Sequence, residues 1–177
     1  MSTQLEVSPR SPFVAVADHT TSKVAPRVSF RQPVTSDPFV DAAWWPRSRD
    51  LQAELPGLLE LMWDAGREVV RVSYALGSWL PVPRQLRIGG RVVRLGGFVY
   101  TDAAMISLRD AWGSERVDVL VIAPDADPAV AAKVMMLVSR PGRNETAATT
   151  LARATEAIHP GIPSRRDAVG SSCTSPF

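Results

Sequence analysis

The decapeptide Asp41–Asp50, DAAWWPRSRD, gathers the side chains of this chain best suited to chemistry. Two indoles, Trp44 and Trp45, precede a proline and two guanidinium groups, Arg47 and Arg49, and a carboxylate stands at either end, Asp41 and Asp50. Arginines can grip a carboxylate or phosphate as a fork, and an exposed indole face can stack on a planar group. Pro46 pushes Trp45 toward extended backbone, and neighbouring side chains of an extended segment point opposite ways. One indole is therefore expected to face the core and the other to face outward or across a cleft. If a helix begins after the block, its free N–H groups also favour an anion there. Trp79 is a candidate third aromatic on the same face.

Two readings of the block stay open. In the first it is a binding rim. In the second it is structural closure: Arg47 or Arg49 pairs with Asp41 or Asp50, a guanidinium stacks on an indole, and the block staples its loop to the first helix. A catalytic version of the first reading has Arg47 and Arg49 clamping a small anionic substrate, with Asp41 or Asp50 as general base.

Other chemistries lack their residues. The chain has two histidines, His19 and His159, neither of which sits with a plausible nucleophile, so Ser-His-Asp and Cys-His arrangements have no support. A single cysteine, Cys173, cannot join with two histidines to build the usual zinc sites. Neither phosphate-loop nor dinucleotide-loop glycine patterns occur. Asp125 and Asp127, in PDADP, read as a loop and helix cap rather than as metal ligands. No metal and no cofactor are expected.

The 177 residues are 45% hydrophobic and 21% charged, with a net charge of +2, which suits one globular domain. So small a charge disfavours nucleic acid as a partner. A weak nucleic-acid contact through Arg87, Arg91 and Arg94 is kept as a third reading. No apolar run approaches the ~18 residues of a membrane span, and the N-terminus lacks the pattern of a secretory signal. With a lone cysteine, this gives a cytoplasmic expectation. The partner expected is an unknown small anion or protein; oligomeric state is not legible.

The elements that must position these residues follow from periodicity. Residues 1–26 and 161–177 read as a disordered leader and tail, and 27–160 as a single domain. RVSF (Arg27–Phe30) is a short strand candidate, and the tryptophan block reads as a loop. Leu51, Leu55, Leu58, Leu59 and Met62 form one helical stripe, capped by Ser48 or Asp50 and ended by Gly66. Pro56 predicts a kink or two short helices. Val70, Val72, Tyr74 and Leu76 alternate as one face of a strand, which puts Trp79 on the opposite face. RQLRIGGRVVRL predicts a hairpin about Gly89-Gly90, with Leu86 opposite Val93 and Ile88 opposite Arg91. Gln85, Arg87, Val92 and Arg94 fall on its other, basic face.

Strands are expected at Phe98–Thr101, Met105–Arg109 and Arg116–Pro124, the last central and covered on both faces. A helix capped by Asp127 with Pro128 at its first position follows, with Val130, Val134, Leu137 and Val138 inward, closing at Pro141-Gly142. A final helix is expected from Asn144 to Ile158, with Leu151, Ala154 and Ile158 inward. Strands segregated from helices predict an α+β fold: a mainly antiparallel sheet of about five to six strands with two or three helices packed on one face.

The segments DAAWWPRSRDLQAELPGL, RVSYALGSW, PRQLRIGGRVVRLGGF and VLVIAPDADP resemble an uncharacterised family of small actinobacterial proteins. Its members carry an Asp-x-Ala-Trp-Trp-Pro-Arg-Ser block, a Tyr–Trp strand and an Arg-Leu-Gly-Gly-Phe turn. The resemblance covers about Arg27 to Val138. Ala42 stands where the family pattern suggests glycine. The resemblance implies one domain built around the tryptophan block, and no reaction. The function expected is a small binding or interaction domain that uses Trp44, Trp45, Arg47, Arg49, Asp41, Asp50 and Trp79.

Overall fold

The computed structural model describes residues 17–19, 25–31, 40–140 and 145–160. Seven strands from Val28 onward form one sheet: β2 (Val28–Phe30), β3 (Ala42–Trp44), β4 (Arg71–Ala75), β5 (Gln85–Ile88), β6 (Arg91–Phe98), β7 (Met105–Arg109) and β8 (Arg116–Val121). A short eighth, β1 (Ala17–His19), joins one edge, and the order is β1-β5-β6-β4-β7-β8-β3-β2. Helices are α1 (Leu51–Asp64), α2 (Pro128–Ser139) and α3 (Ala147–Ile158). Apart from Ala17–His19 and residues 25 and 26, the expected leader lies outside the described residues, as do the expected tail, Pro141-Gly142 and Asn144.

The fold is α+β, with three corrections. The sheet is mixed: β1 with β5, β4 with β6, and β3 with β8 run parallel. It has more strands than the expected five to six, chiefly because the tryptophan block contributes one. Ala42–Trp44 pairs parallel with β8 and antiparallel with β2, so the presumed loop is an interior strand. Three residues are too few to show alternation, and all three are buried. Helices also cover both faces. On one, α1 packs with Trp44, Val72, Tyr74, Leu86, Ile88, Val119 and Val121. On the other, α2 and α3 pack with Ala43, Leu120 and Ile122.

Local chemistry accounts for the element ends. Asp50 Oδ1 accepts from the N–H groups of Gln52 (3.0 Å) and Ala53 (3.2 Å), and Ser48 Oγ accepts the Asp50 N–H and donates to Glu54. These bonds satisfy donors that the first turn of α1 leaves open. Gly66, at φ 78°, ends α1 while Arg67 N–H returns to the Met62 carbonyl at 2.9 Å, the closure that a left-handed glycine permits. Pro56 lies inside one unbroken helix rather than between two. Its cost there is a single hydrogen bond to the preceding turn, set against the burial of Leu51, Leu55, Leu58, Leu59 and Met62.

The hairpin is as expected, with Gly89 and Gly90 at positive φ, Leu86 opposite Val93 and Ile88 opposite Arg91. β6 continues to Phe98, and the separate strand expected at Phe98–Thr101 does not form, because the chain bends at residues 99–101. Asp127 caps α2 through Ala129 N–H at 2.7 Å, and Thr146 caps α3. Val130, Val134, Leu137 and Val138 are buried as expected.

The strand expected from Val70 to Leu76 stops at Ala75, where a 3-10 turn, Leu76–Ser78, follows. That turn breaks the two-residue alternation, and Trp79 enters the α1 core at 8% exposure instead of the opposite face.

Leu55 is fully buried in the α1 core. Leu55→Ala should cost ~2–5 kcal/mol of folding free energy, measured as a lower urea midpoint with an unchanged slope.

Candidate functional site: a cleft where two helices diverge

β3 and β8 lie side by side and parallel. The chain leaving β3 turns into α1 on one face, and the chain leaving β8 turns into α2 on the other. Adjacent parallel strands whose helices depart to opposite faces leave a crevice at their carboxyl ends, the usual ligand position in open sheets. A cavity of about 460 Å³ opens there.

Its floor is Val121, Ile122, Ala123 and Pro124, the end of β8 and the residues after it. Gly77, Ser78 and Trp79 line one side, and Ala103 and Ala104 another. Ala126 and Val130 of the α2 start, with Leu151 and Thr155 of α3, complete the wall, and Arg49 stands at the rim. Backbone ties hold this frame: Ile122 N–H to Trp44 O (2.8 Å), Val121 N–H to Ala104 O (2.8 Å) and Leu80 N–H to Arg49 O (2.9 Å). His159 Nε2 lies 3.4 Å from Asp127 Oδ2, joining the end of α3 to the start of α2.

The sequence-predicted residues are distributed unevenly around this cleft. Trp44 is 1% exposed and stacks on Trp79, with centroids 5.4 Å apart and ring planes 19° apart. It is closure, not rim. Trp45 points to the other side, packed against the α2–α3 core. The guanidinium on its ring belongs to Arg27, at 3.5 Å from the centroid, which also donates to the Trp45 carbonyl at 3.0 Å and the Pro46 carbonyl at 2.9 Å.

Arg47 is exposed and donates to the Ala25 carbonyl at 3.0 Å. Arg49 approaches Asp125 at 3.9 Å, with both side chains mostly exposed, a pair of little energetic weight. Asp50 is occupied as the α1 cap. Of the seven predicted residues, Arg49 and Trp79 line the cleft.

Asp41 sits at the opposite end of β3 and is 4% exposed. Its Oδ2 accepts from Asp118 N–H at 2.8 Å, while Oδ1 has no partner among the described residues. Burial raises its pKa above the ordinary value; the Asp118 N–H opposes this, the Asp118 charge adds to it, and Arg67 and Arg31 oppose it again.

The floor and the α3 wall escaped the sequence reading because Ala103, Ala104, Ala123 and Ala126 carry no chemistry of their own. The usable signal was position: the apolar run of a doubly covered strand ends at Pro124, and such strand ends are where crevices form. Among the described residues, no cluster of His, Cys, Asp and Glu could hold a metal ion. No described helix is long and apolar enough to cross a membrane.

Compared with known proteins, the chain matches one family model over residues 27–138. It belongs to DUF5994, a family of unknown function. The DUF5994 match takes in β2 through α2, and so the cleft floor, Arg49 and Trp79, and stops before α3. No curated protein and no solved structure matches the chain.

The raised pKa of Asp41 fixes the sign of its pH effect. The folded carboxyl keeps its proton to a higher pH than the unfolded one, which titrates near ~3.9. Its contribution to stability is complete below that value and is lost as pH rises through the folded pKa. Asp41→Asn should therefore unfold at an equal or higher urea concentration than the parent at neutral pH. The difference between the two should shrink toward pH ~4, read from urea unfolding across that range.

Proposed function

We propose that this chain is a binding module for a small amphipathic anion, held in the cleft at the carboxyl ends of β3 and β8. One observation carries the reading: a cavity of about 460 Å³ lined mainly by apolar side chains, with Arg49 at its mouth and Ser78 and Thr155 on its walls. Ligand sites for small molecules have this size, a mostly apolar lining and a few polar groups that set orientation. The apolar part of the ligand lies over Val121–Pro124 against Trp79 and Leu151, and its carboxylate or similar group meets Arg49.

The non-enzymatic reading is supported by where the acids lie. Asp41 is at the far end of β3, and Asp50 is engaged by two backbone N–H groups. Among the described residues, no histidine, cysteine, aspartate or glutamate lines the cleft, so the catalytic version lacks its general base there. The Trp/Arg block enters this proposal differently from its first reading: Trp44 supports Trp79 from behind, and Arg49 supplies the charge. A cytoplasmic site of action belongs to the same proposal and rests on the lone cysteine.

Trp79 reports on the cleft, so intrinsic fluorescence can follow a titration with 4-phenylbutyrate and with its neutral amide. The acid should quench saturably and bind at least ~10-fold tighter than the amide, the worth of a charge-assisted hydrogen bond. Arg49→Met should bring the two together, and Ala104→Phe should remove both. Equal binding of acid and amide by the parent, or no saturable quench, counts against the proposal.

A further inference from the structure

The sheet face opposite α1 bears α2 and α3 over its β8–β3–β2 end. Over β5, β6 and β4 no described helix covers the same face, and Arg87, Arg94 and Arg71 are exposed among the described residues. Strand register adds a feature that the hairpin alone does not show. Arg94 lies directly opposite Arg71, Arg71 opposite Arg109, and Arg109 opposite Arg116. Four neighbouring strands thus present a continuous row of arginines on one face, spaced by the ~4.8 Å between strands. Arg91, read with Arg87 and Arg94 from the sequence, is on the other face, with its guanidinium 4.8 Å from the Trp63 ring centre.

Like charges directly opposite across strands destabilise a sheet, so this row opposes folding. Arg116 is relieved by Asp118 at 2.8 Å. The side chains of Arg94, Arg71 and Arg109 have no ion pair or hydrogen bond among the described residues. An anionic partner running across the strands would supply what the chain itself does not.

The surface beside the row indicates which anion. One register step along lies a floor of small residues, Gly96, Ser73 and Ser107. Asp118 closes the floor at its β8 end, already accepting from Ser107 at 2.5 Å. Beyond the floor, the Phe98 ring lies over Gly96, 53% exposed; a Cβ on Gly96 would come within 3.2 Å of it. Past the row, in the β7–β8 turn, Trp112 is 81% exposed. Cations flanked by exposed aromatic rings on a sheet face match single-stranded nucleic acid, whose phosphates follow the charges while unpaired bases stack. An acidic protein would use the charges and have no need of the rings, and a duplex keeps its bases out of reach.

We propose that the helix-free half of the sheet binds single-stranded nucleic acid, with phosphates along Arg94, Arg71 and Arg109 and a base stacked on Phe98. The surface is separate from the cleft and does not depend on its ligand.

Fluorescence anisotropy of a labelled oligouridylate and oligothymidylate tests it, with a duplex of the same length and polyglutamate as competitors. Single strands should bind with a log–log salt slope of about −2, from three phosphates at ~0.7 each. Arg71→Gln with Arg109→Gln should weaken binding at least ~10-fold and flatten the slope to about −0.7. Phe98→Ala should weaken it ~5–100-fold with the slope unchanged, the range of one stacked base. The double arginine variant should melt at the same or a higher temperature than the parent at low salt, because repulsion is relieved. Failure of single strands to bind overturns the proposal, as does binding that both variants leave intact. Duplex or polyglutamate competing as well as single strands also overturns it, and so does a double variant that melts lower.

Discussion

Three residues, Ala42, Ala43 and Trp44, tie both hydrophobic cores of this molecule to one strand. Their backbone pairs with β2 on one side and β8 on the other, so the strand is hydrogen-bonded along both edges. Their side chains divide between the faces: Ala42 and Trp44 enter the α1 core, and Ala43 enters the α2–α3 core. The small side chain of Ala43 lets α2 approach the strand closely, while Trp44 supplies one of the largest buried groups in the chain. This insertion adds one of the sheet's parallel pairs, because β3 enters parallel to β8 while the neighbouring β7–β8 pair is antiparallel.

The same insertion makes the cleft. Two parallel neighbours that send their helices to opposite faces cannot both be covered at their carboxyl ends. The tryptophan pair then has a definite task. Trp44 is the buried backing on which Trp79 lies, and Trp79 presents itself to the cavity. Closure and cleft lining, which the sequence left as rivals for the whole block, are divided between residues. Trp44 and Asp50 are structural. Arg49 is at the mouth. The guanidinium expected to stack on an indole is that of Arg27, over Trp45.

What could be read from the chain was whatever local rules determine. The Gly89-Gly90 hairpin and its register, the Asp127 cap with Pro128, the α1 stripe and the covered run Val119–Ala123 each rest on neighbours in sequence. That covered run already conflicted with placing every helix on one face, since a strand buried on both sides needs a layer over each. β3 escaped because two alanines and a tryptophan show no alternation, and its partners are remote in sequence. Trp79 was misplaced because parity was carried through a 3-10 turn, where it does not hold. The arginine row was invisible for a different reason: Arg71, Arg94, Arg109 and Arg116 are scattered along the chain and meet only through strand pairing.

α3 stands apart from the rest of the cavity wall. It makes no sheet hydrogen bonds, lies beyond residues 27–138, and reaches the cavity through Leu151 and Thr155. Replacing such a helix would reshape the mouth and leave every ladder of the sheet in place. The end of β8 sets the floor of the cavity, and this one helix sets part of its outline, much as a tool keeps its handle and changes its jaw.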